Sequence, residues 1–171
     1  MKISKMILAS FAAAAVVSTG GIAAPPTAPI QVSARVVANC SITASNMDFG
    51  NYDPLVANKT ANALADSTIA VSCTKGSPNV SVGLDRGLNA TAGQRRLVNA
   101  GEFMTYSITD EAGTDWTQTL SGTTVTAGSV AYGPFASVAT AITHTAHGIL
   151  TSGQDVSVGT YTDTVTATVL F

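Results

Sequence analysis

Apolar and polar residues alternate in short runs along this chain. No long segment repeats its apolar positions with the 3.6-residue period of a helix. Near the N-terminus Ile30, Val32, Ala34 and Val36 alternate with Gln31, Ser33 and Arg35, the period of a strand with one apolar face. Ile69, Val71 and Cys73 alternate with Thr68, Ala70 and Ser72 and predict a core strand over 68–74. Val80, Val82 and Leu84 predict another inward face, ended by a turn at Asp85-Arg-Gly87. Arg95, Arg96, Leu97 and Val98 predict a short edge strand. Met104, Tyr106 and Ile108 share one face of a strand over 102–108, with Phe103, Thr105 and Ser107 on the other. Trp116 opens a short Thr-rich strand, and a further stretch passes through Val130-Ala-Tyr-Gly-Pro-Phe135. Residues 136–157 read as long and irregular. The closing segment has the clearest pattern: Val165, Ala167, Val169 and Phe171 alternate with Thr164, Thr166, Thr168 and Leu170. Threonine on the outward face suits a strand half exposed to water. A strand in that position leaves its far edge unprotected unless something pairs with it.

Turn formers separate these runs. Asp48-Phe-Gly-Asn-Tyr-Asp-Pro54 predicts a turn with two aromatic anchors, Lys75-Gly-Ser-Pro78 a break, 110–115 a charged turn, and 57–66 a loop. Short strands spaced by turns, with no βαβ alternation, predict an all-β fold, an immunoglobulin-like Greek-key β-sandwich.

The first residues carry an address rather than a fold. Met1-Lys-Ile-Ser-Lys5 is a basic n-region, 6–17 is an apolar run broken only by Ser10, and Gly21 and Ala23 are small. This predicts a signal peptide over 1–23, cleaved after Ala23, with an apolar run too short to span a bilayer comfortably. A proline-rich leader with Pro25, Pro26 and Pro29 follows. The expected organisation is therefore a signal peptide (1–23), an N-terminal extension (24–38) and one domain (39–171). An apolar strand at an exposed N-terminus needs something to bury it, in this chain or in another.

Charge and cysteine content sharpen the class. Without Lys2 and Lys5, six basic residues face ten acidic ones, a balance that attracts neither nucleic acid nor an anionic membrane. Cys40 and Cys73 are the two cysteines. In an exported protein such a pair most simply forms one disulfide, the alternative being two buried free thiols. Closing a loop of about 30 residues contributes roughly 3–4 kcal/mol. The spacing fits neither CxxC redox chemistry nor a zinc site.

Catalytic constellations are hard to assemble. His144-Thr-Ala-His147 has no acidic or cysteine ligand nearby in sequence and reads as a solvated loop rather than a metal site. Asp48-Phe-Gly50 echoes a kinase triplet without its companion motifs. Asp110, Glu111 and Asp115 read as a charged turn rather than a glycosidase carboxylate pair. Asn39, Asn58, Asn79 and Asn89 head N-x-Ser/Thr triplets that a Ser/Thr-rich chain produces by chance. No catalytic residue, metal ligand, cofactor or small-molecule substrate is expected.

An ordered set of features resembles the spore coat protein U domain family, whose best-known members are major pilins of archaic (Csu-type) chaperone–usher pili. The set comprises the alternating strand before Asn39-Cys-Ser-Ile, then Phe49-Gly-Asn-Tyr52, Ile69-Ala-Val-Ser-Cys73, Arg96-Leu97 and Tyr106-Ser-Ile-Thr-Asp110. It continues through Trp116, Val130-Ala-Tyr-Gly133, Gly153-Gln154 and Gly159-Thr-Tyr-Thr-Asp-Thr-Val165. The resemblance implies an incomplete sandwich lacking its last strand, filled first by a periplasmic chaperone and then by the N-terminal strand of another subunit. Carried onto this sequence, the donor strand is Ile30, Val32, Ala34 and Val36. The acceptor groove is flanked by Val165, Ala167, Val169 and Phe171, and the disulfide is Cys40–Cys73. The implied partners are neighbouring pilin subunits, a periplasmic chaperone and an outer-membrane usher. The implied location is the periplasm during assembly and then the cell surface, in a fibre serving adhesion and biofilm formation. Two departures stand out: Ala34 is small for a groove-filling position, and 133–152 is longer than the family's usual link. Two other readings compete, a non-polymerising coat or matrix protein of the same fold and a carbohydrate-binding module using Trp116, Tyr132 or Tyr161.

Overall fold

A computed structural model describes residues 20–170 apart from 118, 122, 123, 127 and 128. The chain divides into two units, 1–35 and 36–171. Residues 20–35 of the first unit have no regular secondary structure and are exposed throughout.

In the second unit, antiparallel ladders account for the strands. β1 (Cys40–Ala44), β2 (Ala63–Cys73), β3 (Val80–Leu84), β4 (Arg95–Asn99) and β5 (Glu102–Thr109) follow in chain order. Then come β6 (Thr119–Ser121), β7 (Thr124–Thr126), β8 (Val130–Tyr132), β9 (Ile142–Leu150) and β10 (Ala167–Leu170). There is no helix among the described residues. One sheet has the order β1-β2-β9-β5-β4, a second the order β10-β3-β8, and β6-β7 forms a separate hairpin. This is the all-β sandwich that the alternation predicts.

The core lies where the inner faces meet. Ile69 and Val71 of β2, Met104, Tyr106 and Ile108 of β5, and Ala146 and Leu150 of β9 oppose Val80, Val82 and Leu84 of β3 and Tyr132 of β8. Each large apolar side chain buried there contributes about 1.5–3 kcal/mol. Trp116 is fully buried and donates its indole N–H to the Val82 carbonyl at 3.0 Å. Phe49 and Tyr52, expected as anchors, both pack against this core. Cys40 and Cys73 are directly opposed in the β1–β2 ladder and joined by a disulfide.

Three expectations are corrected. The region 136–157 is not irregular: it contains β9, which sits at the centre of the larger sheet, between β2 and β5. The core strand read over 68–74 extends back to Ala63, because Ala63 to Val71 pair with Leu150 to Ile142 of β9. The closing strand is shorter than expected. Only Ala167–Leu170 pairs fully with β3, and Phe171 lies outside the described residues.

Strand directions define two ends. The disulfide and the 74–79 turn leading into β3 lie at one end. β1 runs away from it, and the closing segment runs towards it from a bridge between Thr162 and Val98 at the other end.

Candidate functional site

β1 is an outermost strand of the larger sheet and β10 an outermost strand of the smaller one, so each presents an unpaired edge among the described residues. Beside these edges a groove of about 560 Å³ opens into the core. Ile69, Tyr106, Ile108 and Ala146 of the larger sheet and Leu84 of the smaller one line it, along with Val165 and Ala167 of the closing segment. The chain between β1 and the following turn, through Met47, Asp48 and Phe49, forms one rim. The two edges come within 8 Å of each other between Cα atoms, though they exchange no ladder bonds among the described residues. Its lining takes in Ala44 to Phe49 and Asp163 to Val165 but neither Cys40 to Thr43 nor Thr168 to Leu170, so the groove lies towards the end that holds Met47, Phe49 and Asp163.

A glycine makes room for the rim at that end. Gly148 of β9 lies under the rim, and a Cβ there would run into the Met47 sulfur and stand 2.9 Å from Phe49 Cζ. Phe49 in turn meets the Tyr106 ring edge-on, with centroids 6.1 Å apart.

Asp163 pins the closing segment beside the groove. Its Oδ2 accepts the Tyr106 hydroxyl at 2.7 Å, and its Oδ1 accepts Leu88 N–H at 3.0 Å and Asn89 Nδ2 at 2.9 Å. Gly87, at φ 82°, has no Cβ because one would strike this carboxylate. Burial, and then the bond to Asp163, push the Tyr106 hydroxyl's pKa well above its ordinary value, so it serves as a neutral donor.

Arg95 is a feature the sequence did not announce. It is 2 % exposed on an edge strand and reaches across to the smaller sheet's side. Its Nη2 donates to the carbonyls of Asp85 at 2.6 Å and Trp116 at 2.8 Å, its Nε donates to Asp85 at 3.1 Å, and Asp115 is 3.5 Å from its Nη1. Burial lowers its pKa, opposed by Asp115. Arginine stays charged under such a shift, and the carbonyls solvate the guanidinium in place of water.

The predicted site residues divide as follows. Val165 and Ala167 line the groove. Val169 is half-buried on β10 opposite Val82 and does not line it. Ile30, Val32 and Val36 are 87, 90 and 81 % exposed, Ala34 is also exposed, and 20–39 has no strand.

The histidine motif reads differently in three dimensions. His144 and His147 lie on β9, not in a loop, and three positions along a strand place them on opposite faces, where they cannot share a metal. Acidic partners do exist, supplied from distant positions. His147 Nδ1 lies 2.7 Å from Asp66 and His144 Nδ1 3.3 Å from Glu111. Glu111 also accepts Thr145 N–H at 2.9 Å, which together with His144 lowers its carboxyl pKa. With Asp115 on Arg95 and Asp110 Oδ1 accepting Ala112 and Thr114 N–H, this acidic turn serves as a structural clasp. Trp116 and Tyr132 are wholly buried, and Tyr161 is half-buried with its hydroxyl on Glu102, so the three do not form the exposed aromatic platform a sugar-binding reading requires.

A solved structure gives this fold a context. The chain is similar, at a TM-score of 0.55 and 22 % identity, to a chain of the CsuC–CsuE chaperone–tip adhesion subunit pre-assembly complex from archaic chaperone–usher Csu pili of Acinetobacter baumannii. The match covers 80 % of this chain and 40 % of that one. "Protein U" of Myxococcus xanthus is 31 % identical over 165 residues, covering 87 % of each chain. The family model for the Spore Coat Protein U domain matches residues 26–168. A match of that extent, spanning all but the last residues of the sandwich, means that the chain belongs to the spore coat protein U domain family.

Proposed function

We propose that this protein is a structural subunit of a surface fibre, built by donating residues 30–37 of one copy to the groove of the next. The observation that carries this reading is the open groove beside the closing strand, with core side chains such as Ile69, Ile108 and Leu84 in its lining, in a chain whose own alternating apolar segment is exposed to solvent. Strand addition satisfies both: backbone groups of the incoming strand pair with the free edges, and alternate side chains enter the groove. Ile30, Val32 and Val36 each contribute about 1.5–3 kcal/mol on burial, and Ala34 contributes less. Before assembly the same groove needs a placeholder, a role that fits a periplasmic chaperone, with an outer-membrane usher catalysing the exchange. The similar chain comes from a complex of a chaperone with a tip adhesion subunit. A fibre on the cell surface then serves adhesion and biofilm formation.

The test is a charge on the donor face. Val32→Asp or Val36→Asp is expected to abolish heat-labile polymer ladders on unboiled gels, leaving monomer or chaperone-bound subunit. Polymer at wild-type yield from Val32→Asp, or from a chain lacking 24–37, would sink the reading.

A further inference from the structure

The donor stretch carries one charge, Arg35, next to its C-terminal apolar residue Val36. Arg35 has the opposite parity to Ile30, Val32, Ala34 and Val36, so in an inserted strand it points away from the groove floor, out to the mouth, from where a side chain of its length can reach a rim residue. The rim has one suitable partner. Asp48 is exposed and lines the groove, caps Gly50 N–H with one oxygen at 2.8 Å, and forms no ion pair among the described residues. The other carboxylate lining the groove, Asp163, is already taken up by Tyr106, Leu88 and Asn89.

Resting on the strand-donation reading, we propose that Arg35 of one copy pairs with Asp48 of the next, and that this ion pair sets the register and direction of the inserted strand. Two independent features agree with it. Only Ala38 and Asn39 separate Val37 from Cys40, and Cys40 is fixed by its disulfide. Three Cα steps span at most about 11 Å, so the donor's body abuts whichever end of the groove Val36 leaves. The groove's lining leaves out the disulfide end of both edges and takes in Met47, Asp48 and Phe49, so its opening lies at the Met47 end. Charge points the same way. Reversed, the strand would carry Arg35 towards the disulfide end, where the following turn holds Lys75 and like charges repel. In the proposed direction the strand runs antiparallel to the closing segment.

The experiment compares polymer yield and rate for full-length Arg35→Glu, Asp48→Asn, Asp48→Arg, the double reversal Arg35→Glu/Asp48→Arg, and Val32→Asp. Thermal melts check that each subunit folds. Asp48→Asn is included because an amide oxygen still accepts the Gly50 N–H. The expected result is a roughly five- to tenfold slower assembly for each single charge change, recovery to within about twofold in the double reversal, and a penalty that shrinks in high salt. Arg35→Glu assembling at the wild-type rate while Val32→Asp fails would overturn the ion pair and leave strand donation standing. A double reversal no better than its parents would also overturn it. Val32→Asp assembling normally would overturn strand donation and the ion pair with it.

Discussion

Arg95 shows how one residue can couple two sheets. Its guanidinium replaces water at carbonyls from two distant segments, Asp85 after β3 and Trp116. Truncation leaves those acceptors unpartnered in a buried space and removes the bridge. Arg95→Ala is expected to lower stability by at least about 3 kcal/mol, read as a shifted urea midpoint with unchanged slope. Gly148 makes the opposite point, since its value is an absence. Gly148→Ala pushes a methyl into Met47 and Phe49 and is expected to cost about 1–3 kcal/mol by the same measurement. Neither role is legible locally. Gln94-Arg-Arg-Leu97 looks like a solvated edge, and nothing near Arg95 in sequence reveals the carbonyls that converge on it. The alternating positions Val80, Val82 and Leu84, or Met104, Tyr106 and Ile108, announce their burial because each is large and apolar.

At the scale of elements, the same logic explains the strand that sequence patterning missed. The inner face of β9 is Ile142, His144, Ala146, Gly148 and Leu150. Its middle is small because the segment through Met47 and Phe49 packs over it, so the apolar signal that marks other strands is carried by a different part of the chain. The first half of β2 is hidden for a related reason: Ala63 and Ala65 are small, and pairing with β9 supplies what propensity does not. Connections between elements rely on carboxylates. Glu102 accepts Ser157 N–H at 2.6 Å, Ser157 Oγ at 3.0 Å and Tyr161 hydroxyl at 2.8 Å, tying β5 to the segment before the closing strand. Glu111 does the same between the acidic turn and β9. These bonds, the Ser157 and Thr145 amides foremost, hold both carboxyls below their ordinary value of 4.5. A depressed folded-state pKa contributes stability above the unfolded value and loses it as pH falls through the folded one. Melting temperature is therefore expected to drop on acidification below about pH 4.5, and the Glu102→Gln/Glu111→Gln double variant should show a smaller drop over the same interval.

For the whole molecule, the sandwich class and the pairing of Cys40 with Cys73 were readable from alternation and cysteine count. The groove was not, since it is the space between two edges that only the completed topology brings side by side. Its rim through Met47, Asp48 and Phe49 read as part of an anchored turn, and only three dimensions place it against Gly148 and the core. The disulfide acts at this scale. Replacing both cysteines with serine is expected to cost roughly 3–4 kcal/mol in chemical denaturation, most of it by freeing the unfolded chain.

On the strand-donation reading, that crosslink also takes up load. In a fibre joined by donated strands, tension enters each subunit through Ala38 and Asn39 and reaches the domain at Cys40. Without the crosslink, the load would fall on β1, an outermost strand of five residues that can peel away bond by bond. With it, force passes covalently to β2, which β9 grips along nine paired positions and which can yield only by shearing many bonds together. Pulled fibres should therefore rupture at their inter-subunit joints while oxidised, and lengthen by unravelling subunits once a reductant is added.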